Sequence, residues 1–326
     1  SLDLTKSYIE VETVDDSEQL SSLLAQKTPR ELITSDKTRT SYDFNLEIKY
    51  FDVGDSKDFL MILQDHFTEH YDFEAKVLEK DCEFRAIATA LSYAKKTQCQ
   101  DLTYINEIRQ VEKEAFVKID SHSRKSLEID IRTNGETDHT LFSLLNTTCT
   151  PMGGRSLRKW LHQPLRKAAI IKERHNWIDY CLKEQLETAI RNELKPIGDL
   201  ERISTRLNLG SANPRDLEKL KIGLRQVPKI RRATSNLDCS QQKELLRELT
   251  QFDQLVELID KAIGESPPVS LRDGGFIAEG FSGELDELRK LSNQGKDWLL
   301  DLEAEEKART GMTNLKVGYN RIHGYY

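Results

Sequence analysis

His66-Phe67-Thr68-Glu69-His70 sets two imidazoles four residues apart around a carboxylate. On a helix that spacing puts both rings on one face. H-x-x-E-H is the inverted zinc-protease motif, with the histidines as ligands and the glutamate as catalytic base. His66, Glu69 and His70 are therefore a candidate zinc-hydrolase centre. Against it, a five-residue pattern with two free positions also arises by chance, Phe67 puts an apolar ring inside it, and no acidic third ligand comes later at an obvious distance. A solvated helix end is the plainer reading. Asp3, Asp52 and Asp55 form a second candidate, a carboxylate set for a metal nuclease, although aspartates at strand ends are common on surfaces. No G-x-x-x-x-G-K-[ST] or G-x-G-x-x-G loop is present to cradle a nucleotide phosphate. Ser, Cys and His residues form no nucleophile motif. The residues by themselves assign no catalytic, metal-binding or cofactor-binding side chain.

Charge says more. From His139 to Lys172 there is no acidic residue, while Arg155, Arg158, Lys159, Arg166, Lys167 and Lys172 supply positive charge. A second stretch carries Arg202, Arg206, Arg215, Lys219, Lys221, Arg225, Lys229, Arg231 and Arg232, opposed only by Asp216 and Glu218. Such stretches either contact phosphates or pair with acids of the same molecule. In a chain with 48 Lys+Arg against 55 Asp+Glu, a net charge of −7, internal pairing is the favoured reading. The last stretch, Lys316 to Tyr326, gathers cationic, amide and aromatic side chains around a turn. There Lys316, Asn320 and Arg321 could meet sugar-phosphate oxygens without reading bases.

The elements that would carry these residues change along the chain. Up to about residue 100, short β-prone runs (Leu2, Leu4, Tyr8, Ile9 and Val11; Glu31–Thr34; Leu46–Asp52) alternate with helical patterns at Leu20–Ala25, Asp58–Phe67 and Phe84–Ala94. That alternation predicts a small α/β domain. From Leu102 onward the pattern is helical. A stripe at Leu141, Leu144 and Leu145 resumes at Leu157, Trp160 and Leu161 after a break at Pro151–Gly154, and helices are expected over Ile170–Leu194, Asp216–Gln226 (ended by Pro228) and Gln241–Ile263. A turn at Asp273-Gly274-Gly275 leads into a helix from about Glu284 to Arg309, near 39 Å long. Its apolar stripe is too narrow to be wrapped by one core, so it is expected to project as an arm. Leu315–Tyr319 then reads as a strand.

With 326 residues, 37% hydrophobic and 32% charged, two or three domains are expected, with long exposed helices rather than a dense α/β core. No apolar run approaches the roughly 20 residues of a membrane span. Five scattered cysteines without a CxxC pair, and no signal-like start, suggest reduced, mostly buried thiols in a cytoplasmic protein. A start in a strand and a stop at Gly324-Tyr325-Tyr326 suggest a chain cut at both ends.

Several blocks carry a family resemblance. Leu141-Phe142-Ser143-Leu144-Leu145-Asn146, Thr150-Pro151-Met152-Gly153-Gly154-Arg155 and Trp160-Leu161-His162-Gln163-Pro164-Leu165 closely resemble the core signature of the bacterial MutS DNA mismatch repair proteins. Asp199-Leu200-Glu201-Arg202 with Pro214-Arg215-Asp216-Leu217 resembles a second block of that core. Gly283–Leu288, Leu315–Asn320 and His323–Tyr326 are similar to the start of the family's clamp. The resemblance runs in order from about residue 80 to the end and is weaker before it.

It implies a mainly α, multidomain architecture. A ribonuclease-H-like α/β connector would occupy residues 1–100, a helical core with long lever helices 101–270, and the start of a projecting clamp arm with a short β segment 271–326. It further implies a non-catalytic scaffold linking ATPase state to a clamp that holds duplex DNA through its backbone, with Lys316, Asn320 and Arg321 as the contacts. The partners implied are duplex DNA, a second copy in the full-length protein and a MutL-type repair protein, in the bacterial cytoplasm on the nucleoid. ATP and Mg would belong to an ATPase domain not seen in this sequence, nor is the mismatch-reading Phe-x-Glu wedge. A relative acting on recombination or junction DNA is the alternative within the family.

Overall fold

A computed structural model describes residues 1–27, 29–36, 48–54, 56–67, 81–111, 115–234, 252–264, 266–320 and 324–326. The chain is mainly helical with a small α/β part. It divides into two compact units, Ser1–Val256 and Glu257–Tyr326.

The first unit opens with the α/β layer. Strand β1 (Tyr8–Val11) pairs in parallel with β4 (Glu107–Gln110), and β2 (Leu32–Thr34) with β3 (Ile48–Tyr50). Alternation along β1 buries Ile9 and Val11. Helix α1 (Ser17–Lys27) comes directly after β1. Helix α2 (Ser56–Phe67) turns Phe59, Leu63 and Phe67 to one side, and α3 (Asp81–Gln98) turns Ile87, Leu91 and Ala94 to it. Residues spaced three or four apart share a helix face, and these form one core with the inward side of β1 and with Leu102, Ile105 and Ile108. The layer thus continues past residue 100, through β4.

The helical part comprises α4 (Ser121–Ser126), α5 (Leu141–Leu145), α6 (Pro151–His162), α7 (Ala168–Lys183), α8 (Glu187–Leu194), α9 (Leu200–Asn208), α10 (Pro214–Ala233) and α11 (Asp253–Ala262), the last running on into the second unit. Helices α8 and α9 pack on α10, where Leu220, Leu224 and Val227 are buried, as are Ile197 and Ile203.

Three boundaries differ from the sequence expectation. Pro151–Gly154 starts a helix instead of breaking one: Thr150 Oγ1 accepts from Gly153 N, and Pro151 sits where its missing N–H costs nothing. The glycines there leave room, since a Cβ on Gly153 would stand 3.1 Å from Thr150 Oγ1 and 3.3 Å from Thr148 Cβ. The run Ile170–Leu194 is two helices, separated at Gln185, which takes the left-handed φ of 54°. Pro228 does not end its helix. It lies inside α10, which loses one hydrogen bond to the Leu224 carbonyl there and continues to Ala233 because its flanking residues remain packed. Most of the expected Gln241–Ile263 helix lies outside the described residues, and α11 is its described end.

In the second unit, Ile263 bridges Ile277 and the short 3₁₀ turn Leu271–Asp273 closes on Gly274. Next come the 28-residue helix α12 (Gly283–Thr310) and a hairpin of β5 (Tyr319–Asn320) and β6 (Gly324–Tyr325). Among the described residues no helix is long and apolar enough to cross a membrane. The described cysteines are not buried as expected: Cys82 and Cys99 are exposed, and Cys149 and Cys181 half-buried.

Candidate nucleic-acid interface

The residues expected to meet DNA lie beyond α12. Ser282 caps that helix, its Oγ accepting from Leu285 N, with Glu284 and Asp286 in the first turn and Lys307 and Arg309 in the last. Both placements suit the helix dipole. At its foot Asp286 accepts from Gly280 N at 2.7 Å, and Arg289 donates to the Ile277 carbonyl at 2.7 Å. The helix is about 42 Å long, and about 32 Å of it lies beyond Arg289. Leu288, Leu291 and Trp298 are exposed along it, and none of its described side chains is buried. Gly311, at φ 72°, ends the helix by donating to the Lys307 carbonyl at 2.9 Å.

Beyond Gly311 the chain does not form the strand expected from Leu315. Leu315 N turns back on the Met312 carbonyl, and Val317 N is taken by a side chain, Glu303 Oε2, at 3.0 Å. Pairing is seen from Gly318, which exchanges two 2.9 Å bonds with Tyr326, through Tyr319–Tyr325 and Asn320–Gly324. Lys316 is exposed, and its charge helps to hold Glu303 below the ordinary carboxylate range, after the larger effects of the Lys307 hydrogen bond and the Val317 amide. Asn320 ends β5. Arg321 lies outside the described residues.

The two basic stretches are largely paired internally. Arg155 reaches Asp199 and Glu201, each at 2.6 Å. Arg158 lies 3.4 Å from Asp130 and over the Phe142 ring, Lys159 3.8 Å from Glu10, and Lys229 3.7 Å from Glu193. Arg206 meets Asp216 at 2.6 Å, and Arg215, Lys221, Arg225, Arg231 and Arg232 are engaged as well. Much of this charge is therefore spent on contacts within the molecule, among them the Arg206–Asp216 pair between α9 and α10.

Of the zinc candidate only His66 is described. It is buried, its Nε2 stands 2.8 Å from the Ile105 carbonyl, and burial lowers its pKa. A ring held this way is an interior anchor between α2 and the segment before β4, rather than the solvated helix end expected. Glu69 and His70 lie outside the described residues, as does Asp55 of the carboxylate set. Asp3 and Asp52 accept from neighbouring amides, Thr5 N and Gly54 N.

Residues 122–315, more than half of the chain, match the family model described as MutS domain III. The chain belongs to the MutS family of DNA mismatch repair proteins. In this MutS chain the matched region begins in α4 and ends one residue before Lys316, after taking in all of α12. The blocks Leu141–Asn146, Thr150–Arg155 and Trp160–Leu165 that carried the sequence resemblance all fall inside it. Two groups of MutS residues escaped sequence reasoning. Glu303 was visible only as one of a Glu–Lys pair four apart near a helix end. Arg124 and His162, both buried, and the half-buried Asp130 share no spacing that would have drawn attention.

Proposed function

We propose that this chain is the connector, core and clamp-bearing portion of a bacterial mismatch repair protein, and that it serves as a mechanical scaffold rather than a catalyst. The helical core carries α12, and the hairpin beyond it holds duplex DNA by the backbone through Lys316, Asn320 and Arg321. The observation that carries this reading is the domain III match, which takes in a long, charged, exposed helix and ends at Leu315, just short of the hairpin. Phosphate contact needs cations held at a defined place but no base-reading surface. The division into connector (1–100), core (101–270) and clamp (271–326) belongs to the same proposal, as do a second copy of the chain, a MutL-type partner, an ATPase using ATP and Mg in the whole protein, and a cytoplasmic location.

The test is fluorescence anisotropy of the chain titrated into labelled homoduplex and G·T-mismatched DNA at several salt concentrations. Equal affinities that fall steeply with salt are expected, because phosphate contacts release counterions whatever the sequence. No binding at low salt would overturn the reading. A strong preference for a four-way junction over duplex would move it to a recombination-type relative, and nucleotide turnover would remove the non-catalytic part.

A further inference from the structure

We infer that Glu303 is a positioning residue for the DNA-holding hairpin, an inference that rests on the clamp reading above. Its carboxylate is held from two sides. Oε1 accepts from Lys307 Nζ at 2.6 Å, one helical turn on, and Oε2 accepts from the backbone of Val317 at 3.0 Å, fourteen residues on. The amide it takes is the one directly after Lys316. The turn at Met312–Leu315 would by itself leave the chain free to swing about the end of α12. Tying Val317 to the helix fixes where Lys316 stands relative to the helix axis.

Charge alone does not account for a carboxylate here. An anion beside a surface that holds phosphates repels them, and Glu303 remains ionised at neutral pH because Lys307, the Val317 amide and Lys316 all favour its charged form. Its electrostatic effect on DNA is unfavourable and its geometric effect favourable. The two therefore predict opposite outcomes when it is removed.

The experiment uses the full chain and a short labelled homoduplex over a salt series, with Glu303→Ala, Glu303→Gln and Lys316→Ala. Gln keeps a carbonyl oxygen for Val317 N–H while losing the charge. Expected are weaker binding for E303A, by about 3- to 10-fold, with a salt slope shallower by about 0.9, the value of one phosphate contact. E303Q is expected to bind at least as tightly as the parent. A second readout needs no DNA: hydrogen exchange at the Val317 amide should be slow in the parent and in E303Q and fast in E303A. If E303A binds as tightly as E303Q while K316A weakens binding, the positioning role is overturned and the clamp reading survives. Val317 exchange unchanged in E303A overturns it as well. If K316A changes nothing, or the parent fails to bind at low salt, the contact reading falls and takes the positioning role with it.

Discussion

Arg124 Nη1 stands 2.7 Å from His162 Nδ1, and that contact fixes the state of a buried imidazole. A guanidinium offers only donors, so Nδ1 must accept. The ring proton then sits on Nε2, 3.0 Å from Asp130 Oδ2. The same Nη1 also reaches the His162 carbonyl at 3.1 Å, and Nη2 reaches the Ile119 carbonyl at 3.2 Å. Arg124 and His162 are both buried, and burial pulls the Arg124 guanidinium below its ordinary range, against the pull of Asp130 and Asp120. His162 thus joins α4, the loop after it and the end of α6.

His162→Leu should lower stability by about 2–4 kcal/mol, because it leaves the Arg124 charge and the Asp130 carboxylate without their shared partner. Urea unfolding gives the value. A loss below about 0.5 kcal/mol, the size of an ordinary surface change, would show that the cluster does not hold α4 to α6.

Acid should unfold the chain in two stages. Burial lowers the His66 pKa, so the unfolded chain takes up that proton first and stability declines as pH falls below about 6.5. Asp216, bonded to Arg206, and Asp199, bonded to Arg155, are held below the usual carboxyl value. Their contribution is complete above the unfolded value of about 3.9 and disappears as pH falls through the lower folded values. Urea midpoints are expected to decline gently from pH 6.5 and steeply below about 4, with Asp216→Asn weakening the steep limb. Midpoints that stay level down to pH 3 would contradict this.

Gly223 lies where α10 meets α9, and a Cβ there would come 2.9 Å from Leu200 Cδ2 and 3.4 Å from Cδ1. Gly223→Ala gains helix propensity of up to about 1 kcal/mol and loses a similar amount to the contact, so its net effect should be small. Gly223→Val has no such compensation and should cost about 2–3 kcal/mol through overpacking. Thermal or urea unfolding distinguishes the two. A neutral valine would mean that α9 moves freely on α10.

Much of the chain was legible from pattern alone because local rules dominate there. Alternation in Tyr8–Val11, the four-residue spacing of Phe59, Leu63 and Phe67, and the long polar run before Gly311 each specify an element without reference to anything distant. The family blocks from Leu141 to Leu165 gave membership for the same reason, being contiguous words. Spacing failed where a neighbour overrode it. Pro228 stays in α10 because tertiary packing outweighs one lost hydrogen bond, and Pro151 opens a helix because Thr150 caps it. Leu315 turns back on the Met312 carbonyl, and the Val317 amide goes to Glu303, instead of both continuing the strand. The fate of the basic stretches could not be read either, since Arg155–Asp199 and Lys159–Glu10 join residues far apart in sequence. The chain's order of residues determined which elements form and to which family they belong. Only the tertiary structure decided which charges are spent internally and which backbone amide fixes Lys316, because those outcomes depend on distances between residues that no local pattern encodes.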